Sequence, residues 1–369
     1  MKILIVGAGI AGLAAARALQ LRGYRPEIAE RHAEPPTAGQ SIFLLGNAMR
    51  ALGDLGLKEQ IQELSFPVAS QTILSSRGAL LNHVVTDRVW GSCGPCVALL
   101  RKPLVDALRN SLVQTQIEFG TTVLHTIHRG DRRDVYFSDG RVAEYDLIIG
   151  ADGIRSSMRA ANFSATAPRS LGLSAWRLLT DNRYAIESWT AMLGSGRTLL
   201  AIPLSKSELY LYADCATKDF GNGSIPTLKM LFRDFAAPLG AVVADLDDEV
   251  QAHRSDIEEV ASREYPANRL VLIGDAAHAA SPSMAQGAGM AIEDAVVLAE
   301  CISRAQPMHR TLSEFRELRK HRVEWVQKQS RARDKLRTAP DIVRNTILRT
   351  IGSKLYRRSY GSLLEPLWR

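Results

Sequence analysis

A chain of 369 residues is long enough to bury a sizeable core and to form two domains, or one large domain with insertions. No uninterrupted apolar run approaches the length of a membrane span, so an integral membrane segment is excluded and a cytoplasmic protein is expected. The net charge of +7 is unevenly placed, because residues 304–369 hold 17 Lys or Arg against 6 Asp or Glu, and the rest of the chain is mildly acidic.

The chain opens on Lys2-Ile3-Leu4-Ile5-Val6, a short apolar run of the kind a buried parallel strand needs. The sequence GAGIAG follows at once. Gly7 permits a tight turn out of the strand, Gly9 lets the backbone approach a pyrophosphate, and Gly12 lets the next helix pack close to the sheet. That helix, over residues 13–22, is rich in Ala and Leu and stops at Gly23. Residues 25–29 read as a second strand that delivers Glu30 to its carboxyl end, where an acid accepts hydrogen bonds from both ribose hydroxyls. Strand, glycines, helix, strand and acid in register form a dinucleotide-binding unit. A signal peptide has a similar charge and apolar run, but no use for three spaced glycines or a terminal Glu.

Residues 37–47 read as a loop and short strand, and residues 48–55 as a helix stopped at Gly56. Residues 71–75 and 79–84 flank Ser76-Arg77-Gly78 as a β-hairpin. Antiparallel pairing this early points to an inserted sheet. Cys93-Gly94-Pro95-Cys96 has the spacing of a redox pair, but a strand rather than a helix follows it. It reads as a turn with two ordinary thiols. A helix carrying Arg101 at its start runs to residue 112, followed by strands at 117–119, 122–128 and 135–137 and a hairpin turn at Ser138-Asp139-Gly140-Arg141.

A second apolar strand, residues 145–149, runs into Gly150-Ala151-Asp152-Gly153. This places Asp152 at the carboxyl end of a sheet, where open α/β sheets put their ligands. Asp152 also suits the N-cap of a helix from Ile154. Strands follow at 174–179, 189–193, 198–202 and 208–214, the antiparallel sheet of a second domain. Alternation puts Tyr210 and Tyr212 on one face and Leu209 and Leu211 on the other. Helices are expected at 227–237 and 245–253. A third strand, 269–273, leads into Gly274-Asp275, then His278, Pro282, Met284 and Gly287-Ala288-Gly289 at the start of a further helix. Such a start offers free N–H groups and a positive dipole end to an anion.

These three stretches together resemble the class A FAD-dependent aromatic monooxygenases, the para-hydroxybenzoate hydroxylase-like family, in its compact salicylate and urate hydroxylase-like branch. The likeness runs over nearly the whole chain, with the motifs in family order and spacing. It implies an α/β fold: a Rossmann-like FAD-binding domain of the GR2 type, an inserted, mostly antiparallel β-sheet substrate domain, and C-terminal helices. The FAD-binding domain is expected at 1–70, 97–170 and 262–310, the substrate domain at 71–96 and 171–261, and the C-terminal helices at 311–369. The resemblance implies that Gly7, Gly9, Ala11 and Gly12 hold the FAD pyrophosphate, and Glu30 with Arg31 the adenosine ribose. Arg101 serves the ribityl or phosphate region, and Gly274 with Asp275 the ribityl chain. Gly287, Ala288 and Gly289 face the flavin's pyrimidine edge, and Asp152 and Gly153 serve FAD and transient NADPH or NADH. One departure is Ala285, which stands where the family has the first glycine of Pro-x-x-Gly-Gln-Gly.

The implied reaction is hydroxylation of an aromatic or polycyclic small molecule by NAD(P)H and dioxygen through a flavin hydroperoxide. Pro282 is expected at the reaction site, with Arg177, Tyr210, Tyr212, Met284 and His278 as candidates for substrate contact. His278 is either a satisfied helix-capping histidine or a general base. No metal site is expected, and the protein should be a monomer or homodimer. A flavin-dependent oxidase or halogenase on the same scaffold is the competing reading, although none of the five tryptophans lies in a Trp-x-Trp-x-Ile-Pro pattern. The competing reading of another class is a flavin-free binding protein with a basic tail. Residues 312–333 and 342–356 nonetheless carry the apolar stripe of helices packed on a body, broken at Thr338-Ala339-Pro340, and no nucleic-acid partner is expected.

Overall fold

Ile3–Val6 is buried along its whole length, as expected of a strand inside a parallel sheet covered by helices. In the computed structural model, which describes residues 1–34, 41–163, 167–261 and 268–368, this strand is the centre of a five-stranded parallel sheet. Leu147–Gly150 and then Leu270–Leu272 lie on one side of it, Glu27–Glu30 and then Ile117–Phe119 on the other. The loop expected from Thr37 falls, as far as Gln40, outside the described residues, as do residues 262–267 next to the expected domain boundary. Helix Ile10–Gln20 buries its Ala and Leu side chains against the sheet and against helix Gly287–Ser303. A three-stranded meander, Val123–Arg129, Arg132–Phe137 and Val142–Tyr145, covers the other face through Val123, Val135 and Phe137.

The second large sheet has seven strands. In spatial order they are His253–Glu259, Arg169–Asp181, Glu208–Ala216, Arg197–Pro203, Trp189–Gly194, Ser70–Ser75 and Leu80–Val85. Trp189–Gly194 and Ser70–Ser75 run parallel, and the other neighbours run antiparallel. The two-residue period of the strands sorts their side chains. Trp176, Leu178, Leu209 and Leu211 lie under helices Ile225–Phe232 and Leu239–Ala244. Ala175, Tyr210 and Tyr212 lie on the opposite face, in one cluster with Met284, Met290, Val323, Tyr356 and Tyr360.

The helix expected at 245–253 is not formed. The chain leaves helix Leu239–Ala244, turns, and enters His253–Glu259, an edge strand on Arg169–Asp181. Asp245 would face Asp248 and Glu249 on one side of a helix, and Asp247 instead accepts the Glu249 N–H in a local turn. The edge strand is mostly polar, with Ile257 as its one aliphatic residue, so it shows no alternation to read.

Two long helices close the chain, Met308–Thr338 and Asp341–Leu364, separated at Ala339-Pro340. The first sets Leu312 and Phe315 into the core of the parallel sheet and Val323 and Val326 into the cluster beneath the second sheet. The second locks onto Trp90. The Trp90 Nε1–H and a Gln71 Nε2–H both donate to the Tyr356 hydroxyl at 3.0 Å, and Tyr360 packs edge-on to Trp90. Among the described residues no helix is long and apolar enough to cross a membrane.

Truncation before Thr338 removes four buried apolar or aromatic side chains, Leu348, Tyr356, Tyr360 and Leu363. At about 1.5–3 kcal/mol each they approach the ~5–15 kcal/mol total stability of a folded protein. The truncated chain is expected to lose its cooperative thermal transition and its flavin. A melting temperature equal to that of the full chain would show that the last helix is not part of the core.

Candidate functional site

The glycine-rich turn is shaped by packing on one side and left open on the other. Gly7 has φ +107°, and a Cβ there would lie 2.5 Å from the Ala151 carbonyl oxygen; a Cβ on Gly12 would lie 1.9 Å from the Gly7 carbonyl oxygen. No larger residue fits either place. Gly9, in contrast, faces open space. Helix Ile10–Gln20 starts there without a side-chain cap, so its dipole end is offered to that space. The Glu30 carboxylate is held at the mouth by two backbone donors, the Ala8 N–H at 2.7 Å and the His32 N–H at 2.9 Å. Each oxygen keeps accepting capacity for a ligand hydroxyl. Ala11 abuts Gly274, where an added Cβ would come within 2.9 Å of the Ala11 Cβ. Arg31 is exposed, with its Nε–H directed at the His32 ring.

Asp152 and Asp275 line the same end of the sheet. Asp152 Oδ2 accepts the Ser157 hydroxyl and the Met158 N–H, both at 3.1 Å, while its Oδ1 is buried without a partner. The N-cap of the following helix is Ser156 rather than Asp152, and that helix runs over Ser157–Asn162 instead of starting at Ile154. Gly153, at φ +79°, turns the chain out of a helical path and delays the start. Asp275 is open to solvent in the cleft that these turns border. Desolvation by the surrounding protein raises its carboxyl above the ordinary value, and the neighbouring His278 and Arg101 oppose the rise. Gly287 stands beside it, with an added Cβ 3.8 Å from Asp275 Oδ1. Helix Gly287–Ser303 likewise begins without a side-chain cap, with Ala288 half-buried and Gly289 buried. Two uncapped helix ends, a cation, and carboxylates with accepting capacity to spare fit FAD, a dianionic pyrophosphate flanked by hydroxyl-rich sugar and ribityl chains.

A buried ion network ties this cleft to the C-terminal helices. Asp294 Oδ2 accepts the Gly274 N–H at 2.8 Å and is hydrogen-bonded to His278 Nε2 at 2.6 Å. Its Oδ1 accepts the Arg319 Nε–H at 2.7 Å. Arg319 also donates to Glu293 at 2.8 Å, and Arg322 donates to Glu293 at 3.0 Å. Asn47 donates to Glu293 at 2.9 Å and exchanges two hydrogen bonds of 3.0 Å with Gln286. Burial alone would raise both carboxyls. For Glu293 the charges of Arg319 and Arg322 outweigh it, and for Asp294 the neighbouring His278 and the charge of Arg319 do, so both are held below the ordinary carboxylate range. His278 thus turns its Nε2 into this network.

On the inner face of the seven-stranded sheet the structure brings Arg177, Tyr210 and Tyr212 together. The Arg177 guanidinium lies 5.4 Å from the Tyr212 ring centre and donates to the Ser255 hydroxyl. Tyr212 donates to Asp214 at 2.8 Å, and Asp214 pairs with Arg337. Burial pushes the Tyr210 hydroxyl up to about 12 and the Tyr212 hydroxyl well above its ordinary value, so both are neutral donors at physiological pH. Pro282 is exposed at the head of the short turn Pro282–Met284. Ser281 and Ser283 both donate to Asp334, and the Met284 carbonyl accepts the Tyr360 hydroxyl at 3.2 Å.

Sequence reasoning did not find Asn47, Asp214, Gln286, Glu293, Asp294, Arg319, Arg322 or Arg337. The one local signal was Glu293-Asp294, two adjacent acids inside an otherwise apolar helix. The four cysteines are free and buried, and burial pushes the Cys96 thiol up to about 12, which suits an inert turn.

The sequence pattern of the family described as FAD binding domain matches residues 1–323. The chain is similar to 2-heptyl-3-hydroxy-4(1H)-quinolone synthase of Pseudomonas aeruginosa (strain UCBPP-PA14), 34% identical over 379 residues, covering 98% of this chain and 97% of that protein. It is also similar to the aurachin C monooxygenase/isomerase of Stigmatella aurantiaca, at 29% identity over 88% of this chain and 86% of that protein. Among solved structures, Klebsiella pneumoniae HpxO complexed with FAD and uric acid superimposes with a TM-score of 0.88 at 25% identity, over 100% of this chain and 98% of that one.

Two outcomes are expected from this geometry. Asp275→Ala should weaken FAD affinity roughly 10-fold to 150-fold, measured by flavin fluorescence titration, through loss of a charge-assisted hydrogen bond. Arg319→Ala should destabilise the fold by about 3–5 kcal/mol, because it strands buried carboxylates. The sign of its pH dependence follows from Glu293 and Asp294, whose folded pKa values are depressed. Their contribution is present above the unfolded carboxyl range, about pH 4, and is lost as pH falls through the folded values. Removing Arg319 raises those values, so the acid limb of a melting-temperature profile should move to higher pH. A variant with an unmoved acid limb would place the carboxylates outside Arg319's influence.

Proposed function

The chain belongs to the FAD-binding-domain family and is an FAD-dependent monooxygenase, and from that premise we propose that it hydroxylates an aromatic or polycyclic small molecule, with NADPH or NADH as electron donor and dioxygen as oxygen source. The bound flavin supplies the redox chemistry that delivers one oxygen atom to an electron-rich ring. In this reading residues 1–70, 97–170 and 262–310 hold the cofactor, and residues 71–96 and 171–261 hold the substrate. Support for the division comes from the early hairpin, Ser70–Ser75 with Leu80–Val85, which joins the seven-stranded sheet.

Gly7, Gly9 and Gly12 take the pyrophosphate in this proposal, and Glu30 the adenosine ribose. Arg101 and Asp275 take the ribityl region, Asp152 and Gly153 a neighbouring hydroxyl, and Gly287 to Gly289 the pyrimidine edge. The uncapped end of helix Gly287–Ser303 favours negative charge there. In this reading His278 is a positioning residue, its Nε2 held by Asp294, which also accepts the Gly274 N–H.

The observation that carries the substrate assignment is the Arg177, Tyr210 and Tyr212 group, on the sheet face that shares one apolar cluster with Met284. Neutral phenols and a cation within an apolar surface suit a flat ring bearing a carbonyl or oxyanion. A quinolone-type ring, the ring in the name of the Pseudomonas relative, meets that description.

The test is substrate-stimulated NAD(P)H oxidation by the holoenzyme across a panel of 2-alkyl-4-quinolones, salicylate and urate, with product mass followed. Stimulation by a quinolone with the gain of one oxygen atom supports the proposal. Oxidation yielding only hydrogen peroxide with every ring tested would overturn it. Arg177→Ala is expected to lower kcat/KM about tenfold or more, mainly through KM, at unchanged flavin content. Loss of flavin instead would place Arg177 in the cofactor site.

A further inference from the structure

The outer face of the last helix has a composition the proposed reaction does not explain. From Ile342 to Leu364 there is no Asp or Glu, against five Lys or Arg. Arg344 is buried and paired with Asp341 at 3.0 Å, and the Ser195 N–H also binds Asp341, so the carboxylate at this end is neutralised. Arg349, Lys354, Arg357 and Arg358 all face solvent. Helical spacing puts Val343, Thr350, Lys354 and Arg357 on one stripe.

Aliphatic side chains stand out among these cations. Ile342 is 82% exposed, Val343 50% and Ile351 43%. Leu80, 57% exposed, joins them from the neighbouring hairpin, where its carbonyl accepts the Arg349 Nε–H at 3.4 Å. Arg77 in the same turn is exposed too.

Charge complementarity selects the occupant. A second copy of the chain docked on this face about a two-fold axis would set cation against cation. A nucleic-acid backbone would satisfy the cations but leave a protruding Ile342 and Val343 in water. An anionic phospholipid bilayer takes both, with aliphatic side chains in the acyl boundary and cations over the headgroups. The inner face of the same helix carries Tyr356 and Tyr360 into the cluster that holds Tyr210, Tyr212 and Met284. One helix diameter, about 10 Å, therefore separates this surface from the proposed substrate face.

We propose that the outer face of helix Asp341–Leu364, with the adjoining hairpin turn, docks the protein peripherally on an anionic phospholipid surface. The test is cosedimentation of the full-length holoenzyme with vesicles of phosphatidylcholine and phosphatidylglycerol in equal parts, and with phosphatidylcholine alone. Binding is expected to the anionic vesicles only and to weaken with salt. Arg357→Glu with Arg358→Glu should lower the partition coefficient at least about tenfold, and Ile342→Ser with Val343→Ser about fivefold or more, each at unchanged flavin content and melting temperature.

Several results would overturn the proposal. One is wild-type protein that stays in the supernatant with anionic vesicles, or that binds neutral vesicles equally well. Another is a pair of variants that bind as tightly as the parent. Tight, salt-sensitive binding to duplex DNA without vesicle binding would assign the face to nucleic acid. A dimer dissolved by the same substitutions, again without vesicle binding, would assign it to a second copy.

Discussion

The structure depends on two adjacent carboxylates, Glu293 and Asp294, carried into its centre on a helix buried on nearly every side. Removing each ion from water costs several kcal/mol, so such a pair persists only where cations and hydrogen bonds surround it completely. Here the cations come from Arg319 and Arg322 on the penultimate helix, and the remaining bonds from Asn47, His278 and the Gly274 N–H. Gly274 precedes Asp275, and Gln286, the partner of Asn47, precedes the open end of helix Gly287–Ser303. The carboxylates therefore fix two walls of the proposed cofactor cleft at once. The penultimate helix that supplies their counterions is as necessary to the cleft as the glycine-rich turn near the other end of the chain.

This constraint divides the basic charge of the tail into two populations. Arg319, Arg322 and Arg344 are buried and neutralise carboxylates, and Arg337 does the same for Asp214 beside the tyrosines. The cations on the outer face of the last helix have no such internal duty. A net charge read from composition counts both kinds alike, which is why charge alone could not separate a packed clamp from a surface for a partner.

Local sequence carried the parallel sheet and its ligand-facing turns well, because their causes are local. Ile3–Val6 and Leu147–Gly150 are apolar runs of strand length, and each is followed by small residues that only a tight turn requires. The inserted sheet was equally readable where alternation was strong, as at Leu209 to Tyr212. It was unreadable at His253–Glu259, where an edge position leaves most side chains polar. Site residues were legible where a backbone conformation demanded them and illegible where a distant partner did. Nothing near Arg319 announces Asp294, and nothing near Arg337 announces Asp214. Strand parity put the two tyrosines on one face, but only packing against Met284 shows which way that face looks.

Ala285 shows how such distant partners hold a local conformation that its own residue disfavours. It sits at φ +50° and ψ 39°, the left-handed region, where a Cβ costs about 1–2 kcal/mol relative to glycine. The turn before it has little freedom to relax. Ser281 and Ser283 are both tied to Asp334, the Ser283 carbonyl accepts from Arg333, and the Met284 carbonyl accepts from Tyr360. All of these partners lie on the last two helices. Several hydrogen bonds, each contributing about 0.5–1.5 kcal/mol net, outweigh the strain of one methyl group, so the turn keeps its path without the glycine usual at this position. The C-terminal helices thus hold both the buried carboxylates and the Pro282 turn.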